Sequence, residues 1–215
     1  MRIQVVLFDG FDPLDVLGPF EVFHIGAGLT GGGLTVELVS AEGPRLVPSG
    51  LEAVSLTATA ALDPAADLVV VPGAVGALAL GPEVDGGIGQ LLARAGSSAL
   101  AGPLRDAVGR QGTTVATVCG GSLLVAWAGL ADGRPLVTHG HGADLAGTAA
   151  QPVDARVVDD GDLVSAGNVT SGLDLALHLL EREVGPQVAH AVEQVIRHER
   201  RGTVWRPAGV AVTGA

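Results

Sequence analysis

The sequence contains no lysine and no tyrosine, and it has one cysteine in 215 residues. Because all twelve basic residues are arginine, Schiff-base chemistry and a P-loop lysine are excluded. The single cysteine, Cys119, excludes an internal disulfide. The sequence also lacks an uninterrupted apolar run of about 18 residues, so no membrane span is expected.

Positive charge is also scarce. The formal net charge is −11, which argues against a nucleic-acid-binding surface, because such surfaces depend on basic residues. Hydrophobic residues make up 47% of the chain, which favours a compact protein with large buried elements. We expect a single domain over 1–200 and a C-terminal tail over 201–215. Residues 1–10 are typical of a first strand and not of a signal peptide, so a cytoplasmic protein is expected.

Short apolar runs alternate with helical stretches along the chain. The pattern predicts strands at 3–8, 34–40, 67–73 and 113–118, hairpins at 45–55 and 155–167, and helices at 19–28, 121–129, 170–185, 186–199 and within 87–110. Continuous apolar runs are typical of buried parallel strands. The alternation therefore predicts a doubly wound α/β fold, with a mostly parallel sheet and helices on both faces.

Cys119 follows the predicted strand that ends at Val118 and precedes Gly120, Gly121 and a helix. This is the sequence form of a nucleophile elbow, in which a strained turn presents a nucleophile at the sheet edge. Free N–H groups at a helix start favour a thiolate, so a reactive cysteine is expected. The alternative is a buried structural cysteine. The position at the carboxyl end of a parallel strand favours the functional interpretation.

Four segments in order carry a resemblance to a known family: "VVLFDGFDPLDVLGPFEVF", "DLVVVPGAVG", "TVCGGSLLVAWAGLADGRPLVTH" and "LVSAGNVTSGLDLALHLLE". Together they resemble the ThiJ/PfpI superfamily over about residues 2–198. The resemblance implies a flavodoxin-like fold similar to that of class I glutamine amidotransferases. It also implies a homodimer that acts on a small-molecule substrate without a cofactor.

Within that superfamily, "PLDVLGPFEVF" is similar to isocyanide hydratases and to the ligand-binding domains of AraC-type regulators. The resemblance implies that Cys119 is the nucleophile and that Asp15 is a catalytic acid. Spacing alone does not choose among Asp9, Asp12 and Asp15, which lie in a predicted loop after the first strand. A carboxyl beside a thiolate is expected to have a raised pKa.

Backbone N–H groups of Gly73, Ala74 and Gly120 are candidates for binding negative charge on a Cys119 adduct. A plain turn after the strand at 67–73 explains the first two equally well. Gly120 also departs from relatives. Protease-like and glyoxalase-like branches have histidine after the cysteine, and hydratases often have threonine.

Further candidates lie in two loops. The resemblance implies that His139 lies near the pocket, although many relatives follow this histidine with tryptophan where Gly140 stands here. The segment "HGHGAD" is weak evidence for a metal site, and none is expected. Asn168 and Thr170 are candidates for lining the pocket. The alternative is that Thr170 or Ser171 caps the following helix.

The leading hypothesis is a cofactor-independent enzyme similar to isocyanide hydratase, with Cys119 and Asp15 as its catalytic residues. A glyoxalase-like activity on small carbonyls is an alternative. A second alternative is a ligand-sensing or redox-sensing module without turnover. The glycines at 26–31 match a dinucleotide-binding pattern, but they precede a predicted strand instead of following one, so no nicotinamide or flavin is expected.

Overall fold

The computed structural model of the chain describes residues 1–77 and 85–209, without the side chains of 141–143. The strands are β1 Arg2–Leu7, β2 Thr35–Ser40, β3 Arg45–Pro48, β4 Ser55–Ala58, β5 Ala60–Ala61, β6 Leu68–Val71, β7 Thr114–Val118, β8 Pro135–Leu136, β9 Gln151–Pro152, β10 Val157–Asp159 and β11 Leu163–Ala166. The helices are α1 Pro13–Leu29, α2 Ile88–Gly96, α3 Ala101–Val108, α4 Gly121–Trp127, α5 Ser171–Glu183 and α6 Pro186–Ile196, with a 3-10 helix at His139–Leu145.

Seven strands form one sheet in the order β10-β11-β7-β6-β1-β2-β5. All pairs in it are parallel except β10 with β11, which form the hairpin predicted at 155–167. The hairpin predicted at 45–55 is also present, as β3 and β4. The doubly wound, mostly parallel sheet is therefore confirmed.

The order of the strands places helices on both faces of the sheet. The connection through α1 runs from β1 to β2, whereas the connection through α2 and α3 runs in the opposite direction, from β6 to β7. Because such crossovers are right-handed, the two connections lie on opposite faces. Helices α1, α5 and α6 pack together, while α2 packs on α4. The central strands are covered on both sides, which explains why β6 is buried throughout.

Helix α1 begins six residues earlier than the predicted start at residue 19 and ends at Leu29, one residue after the predicted end. The Asp12 side chain caps the helix by accepting from the Leu14 N–H at 2.9 Å, and Pro13 occupies the first turn. Pro19 lies inside the helix. The predicted loop position of Asp15 is therefore also wrong, because Asp15 is in the first turn of α1.

The predicted capping of α5 by Thr170 or Ser171 is not present. Thr170 occupies the cap position but makes no side-chain cap hydrogen bond. Its hydroxyl instead accepts from Arg156 Nη2 at 3.2 Å. Ser171 is the first residue of the helix, and its N–H donates to the Asn168 carbonyl at 2.8 Å. A tight turn therefore replaces the side-chain cap.

The first residues of the predicted tail contact the domain, and 210–215 lie outside the described residues. The Arg201 N–H donates to Asp174 Oδ1 at 2.8 Å, and Trp205 pairs with Val158 beside the sheet. In the ranges that the structure describes, we find no helix with the length and apolar character needed to cross a membrane.

Gly121, the first residue of α4, is required by close packing. A Cβ at this position would lie 2.3 Å from the Val71 carbonyl oxygen and 2.9 Å from that of Pro72. We expect Gly121→Ala to lower the free energy of unfolding by about 3 kcal/mol, measured by urea denaturation, because backbone atoms cannot move aside easily. The control is Gly102→Ala in α3, where the Cβ meets open space. This change should stabilise the protein by about 0.5 kcal/mol. Equal stability of the two variants would contradict the close approach.

Candidate active site

Cys119 lies in a sharp turn between β7 and α4, with φ of 54°. Non-glycine residues rarely adopt this left-handed conformation, and it is often found at functional sites. Two contacts hold the turn. The Cys119 N–H donates to the Ala166 carbonyl at 2.9 Å, and the Cys119 carbonyl accepts from Thr138 Oγ1 at 3.0 Å. The strained elbow predicted from the glycines is therefore present, and β11 and the segment after β8 support it.

The turn after β6 lies directly against this elbow. A Cβ at Gly73 would lie 2.7 Å from the Gly120 nitrogen and 2.8 Å from Asp15 Oδ2. A side chain at position 73 would therefore push the three segments apart. Glycine at this position lets β6, the elbow and α1 meet at one edge of the sheet.

Asp15 is fully buried beside the elbow. Its Oδ2 accepts from the Gly73 N–H at 2.9 Å, and its Oδ1 has no hydrogen-bond partner among the described residues. Burial raises the pKa of Asp15 to about 8, the negative charge of Asp12 adds to the increase, and the Gly73 N–H opposes it. Asp15 therefore carries a proton over most of the neutral range, as a general acid requires.

Cys119 is a thiol at neutral pH, so the expected thiolate is not supported. Burial raises the pKa of Cys119 to about 12, and the charge of Asp15 adds to the increase. The Gly120 N–H, which hydrogen-bonds the sulfur, lowers the pKa but does not compensate. Burial at the elbow therefore outweighs the effect of the helix start. The site therefore holds a protonated carboxyl beside a protonated thiol.

The structure brings together most of the residues predicted to bind negative charge. The Gly73 N–H donates to Asp15 and the Gly120 N–H donates to the Cys119 sulfur. Ala74 is buried next to Gly73 and pairs with Phe11. In this arrangement Gly73 orients the acid, which is a different task from the expected binding of an adduct.

Leu92 explains how tightly Gly120 is packed. A Cβ at Gly120 would lie 3.1 Å from Leu92 Cδ1. Leu92 is itself fully buried, so a larger residue at position 120 would require it to shift. Glycine at position 120 therefore goes with a wall of the site that Leu92 fills. The sequence alone did not indicate this contact.

His139 lies next to Thr138, the residue that holds the elbow. His139 Nε2 is 3.2 Å from Asp144 Oδ2, and its buried Nδ1 has no partner within the described ranges. The side chain of His141, the other histidine of the suggested metal site, lies outside the described residues. The described side chains contain no group of three residues suited to a metal ion.

Asn168 and Thr170 lie in the exposed loop between β11 and α5. The Asn168 carbonyl accepts from Ser171, and the Thr170 hydroxyl accepts from Arg156. These described contacts do not involve Cys119 or Asp15. Ser171, in contrast, is fully buried, and its hydroxyl has no partner in the described part of the chain. The sequence pattern indicated only a capping role for Ser171.

Comparison with known proteins identifies the family to which the chain belongs. Residues 85–182 match the DJ-1/PfpI family. The chain is also 33% identical over 198 residues to isonitrile hydratase of Pseudomonas putida, across 90% of this chain and 76% of that protein. The chain belongs to the DJ-1/PfpI family. The family predicted from the four sequence segments, under its other name ThiJ/PfpI, is confirmed.

Solved structures share the fold of this chain. A ThiJ/PfpI protein from Pseudomonas syringae has a TM-score of 0.72 at 25% identity, over 94% of this chain and 76% of that chain. An AraC family transcriptional regulator from Pseudomonas putida has a TM-score of 0.67 at 22% identity, over 91% of this chain and 98% of that chain. The second similarity shows a shared fold only.

The raised pKa of Asp15 makes stability depend on pH. In the folded state the Asp15 carboxyl keeps a proton that it releases above pH 3.8 in the unfolded state. The stabilisation of the folded state by this proton is complete below pH 3.8 and is lost as the pH rises to about 8. In this window wild type should lose up to about 1.4 kcal/mol per pH unit relative to Asp15→Asn, which retains the acceptor for Gly73. Urea denaturation of both proteins from pH 4 to pH 9 measures the difference. Parallel pH profiles would contradict a buried, protonated Asp15.

Proposed function

We propose that this member of the DJ-1/PfpI family is a cofactor-independent isocyanide hydratase, which adds water to an isocyanide to give an N-substituted formamide. The observation that carries the proposal is the buried carboxyl of Asp15 beside the thiol of Cys119 at a strained elbow. The identity of 33% to an isonitrile hydratase supports it, since isonitrile and isocyanide are the same functional group.

In the first half-reaction, the Cys119 sulfur attacks the terminal carbon of the isocyanide. The S–H bond breaks and an S–C bond forms. Asp15 takes the thiol proton while giving its own proton to the carbon, which leaves a thioimidate on Cys119. Because the proton moves as the sulfur attacks, a thiol with a pKa of about 12 does not have to ionise beforehand.

In the second half-reaction, water attacks the same carbon. Its oxygen forms a C–O bond, Asp15 gives its own proton to the nitrogen, and the proton released by the water replaces it on Asp15. The C–S bond then breaks, the sulfur recovers a proton through Asp15, and the formamide leaves. One isocyanide and one water give one formamide, so no oxidant, reductant or cofactor is needed. A free thiol is needed, and we therefore propose that the protein acts in the reducing cytoplasm.

Turnover of an alkyl isocyanide by the purified protein tests the proposal, with formamide measured by chromatography. Cys119→Ala should reduce the rate to the uncatalysed background, and Asp15→Asn should lower kcat by about 10²-fold or more. The matched control is Asp9→Asn, because Asp9 is an exposed acid of the same segment that pairs with Arg45. This variant should retain the wild-type rate.

Other results would favour the alternatives. Turnover of methylglyoxal without turnover of isocyanides would support the glyoxalase-like activity. Tight binding of either compound without product would support a sensing module. Equal isocyanide rates for wild type and Cys119→Ala would reject the covalent mechanism.

We also propose that the chain forms a homodimer through the groove between α1, α5 and α6. The groove has a volume of about 470 Å³ and exposes apolar side chains. Leu14, Leu17 and Val195 are each at least 40% exposed there. Contiguous apolar surface of this kind is typical of protein interfaces. Because Leu14 adjoins Asp15, a second copy at this groove would also cover the approach to the acid.

Leu17→Glu tests the dimer, because it places a charge in the middle of the proposed interface. We expect sedimentation to show a dimer for wild type and a monomer for this variant. Leu46→Glu is the control, since Leu46 is 65% exposed on the β3–β4 hairpin, away from the groove. A monomeric wild-type protein, or a dimer that survives Leu17→Glu, would contradict the proposal.

A further inference from the structure

Three elements meet at one point below the active site. A Cβ at Gly172, the second residue of α5, would lie 3.1 Å from Pro19 Cγ on α1 and 3.3 Å from Val118 Cγ1 at the end of β7. The start of α5 therefore fits against both α1 and β7 without room for an added methyl group. This contact fixes the position of the first turn of α5 relative to Cys119, the residue after Val118.

The residues next to this contact in α1, β7 and α5 lie at the edge of the sheet where β7 ends. Asp15 precedes Pro19 by four residues, so the two lie on one face of α1. Cys119 follows Val118, and Ser171 precedes Gly172. Both helices begin at the edge where β7 ends. The carboxyl, the thiol and the Ser171 hydroxyl are therefore carried by three elements that converge on one region.

Two oxygens in this region are buried and have no hydrogen-bond partner in the described part of the chain. Both Asp15 and Ser171 are fully buried, and neither Asp15 Oδ1 nor Ser171 Oγ has a hydrogen-bond partner among the described residues. A buried polar group without a partner destabilises the folded state. The Ser171 hydroxyl does not cap α5, because a tight turn already engages the first N–H groups of the helix. A ligand that hydrogen-bonds both oxygens would account for their positions.

We propose that Ser171 is a positioning residue, which together with Asp15 Oδ1 holds the water molecule consumed in the second half-reaction. The inference rests on the proposed function and assigns a task to a residue that the mechanism above does not use. A buried water needs at least two polar partners, and the proposal assigns that role to these two oxygens.

The division of tasks follows from the chemistry of the two groups. Ser171 orients the water by one hydrogen bond and undergoes no change. Asp15, which is protonated at this stage, gives its own proton to the thioimidate nitrogen and takes one from the same water as the water oxygen bonds to the carbon. The first half-reaction consumes no water, so Ser171 should affect only the release of Cys119 from the adduct.

The variant Ser171→Ala separates the two half-reactions. We expect adduct formation at the wild-type rate, a fall in kcat of about tenfold or more, and accumulation of protein plus one isocyanide by intact mass spectrometry. The melting temperature should stay the same or rise, because the lost hydroxyl has no hydrogen-bond partner among the residues that the structure describes. The control is Ser40→Ala, a buried serine whose hydroxyl donates to the Gly43 carbonyl at 2.7 Å, far along the sheet. This change should lower the melting temperature and leave kcat unchanged.

A wild-type kcat for Ser171→Ala without accumulated adduct would overturn the assignment. A lowered melting temperature with unchanged kinetics would instead make Ser171 structural. A crystal structure of the wild-type protein tests the pair without substrate, and we expect one ordered water within hydrogen-bond distance of both oxygens. An ordered site without such a water would also overturn the inference. Absence of isocyanide turnover by wild type would reject the proposed function alone, since the crystallographic result does not depend on it.

Discussion

The hydrogen bond from the Gly73 N–H to Asp15 is the interaction on which the site depends. It joins the turn after β6 to the first turn of α1, and the same glycine touches Gly120 in the elbow. These three segments are distant in sequence, and none of them forms the site without the other two. Their contact buries the carboxyl, and burial is the largest cause of its raised pKa.

Burial also determines how the thiol works. A cysteine at a helix start is usually expected to be acidic, but desolvation raises the pKa of the half-buried Cys119 as well as that of the fully buried Asp15. Two protonated groups side by side suit the proposed reaction, in which the sulfur and a proton add to the isocyanide carbon and the thiol is restored at the end. The site is therefore better suited to proton exchange between Asp15 and Cys119 than to a permanently ionised thiolate.

The sheet was predictable because its strands are short apolar runs, such as β6, bounded by turn residues. The start of α1 was misplaced because Pro19 is typical of a helix start, whereas Pro13 and the Asp12 cap give the true one. The elbow followed from Cys119 and its glycines. The raised pKa of the thiol and the burial of Ser171 were not predictable, because both depend on segments that only the folded chain brings together.

Pro19 has a mechanical consequence for the acid. It has no N–H, so the carbonyl of Asp15 cannot accept the hydrogen bond that would ordinarily join the first turn of α1 to the second. The turn that bears the carboxyl is thus held less by its own helix than by Gly73 and the packing around it. Small adjustments of the carboxyl in the proposed proton transfers would therefore break no hydrogen bond between Asp15 and Pro19, while the rest of the helix packs on α5.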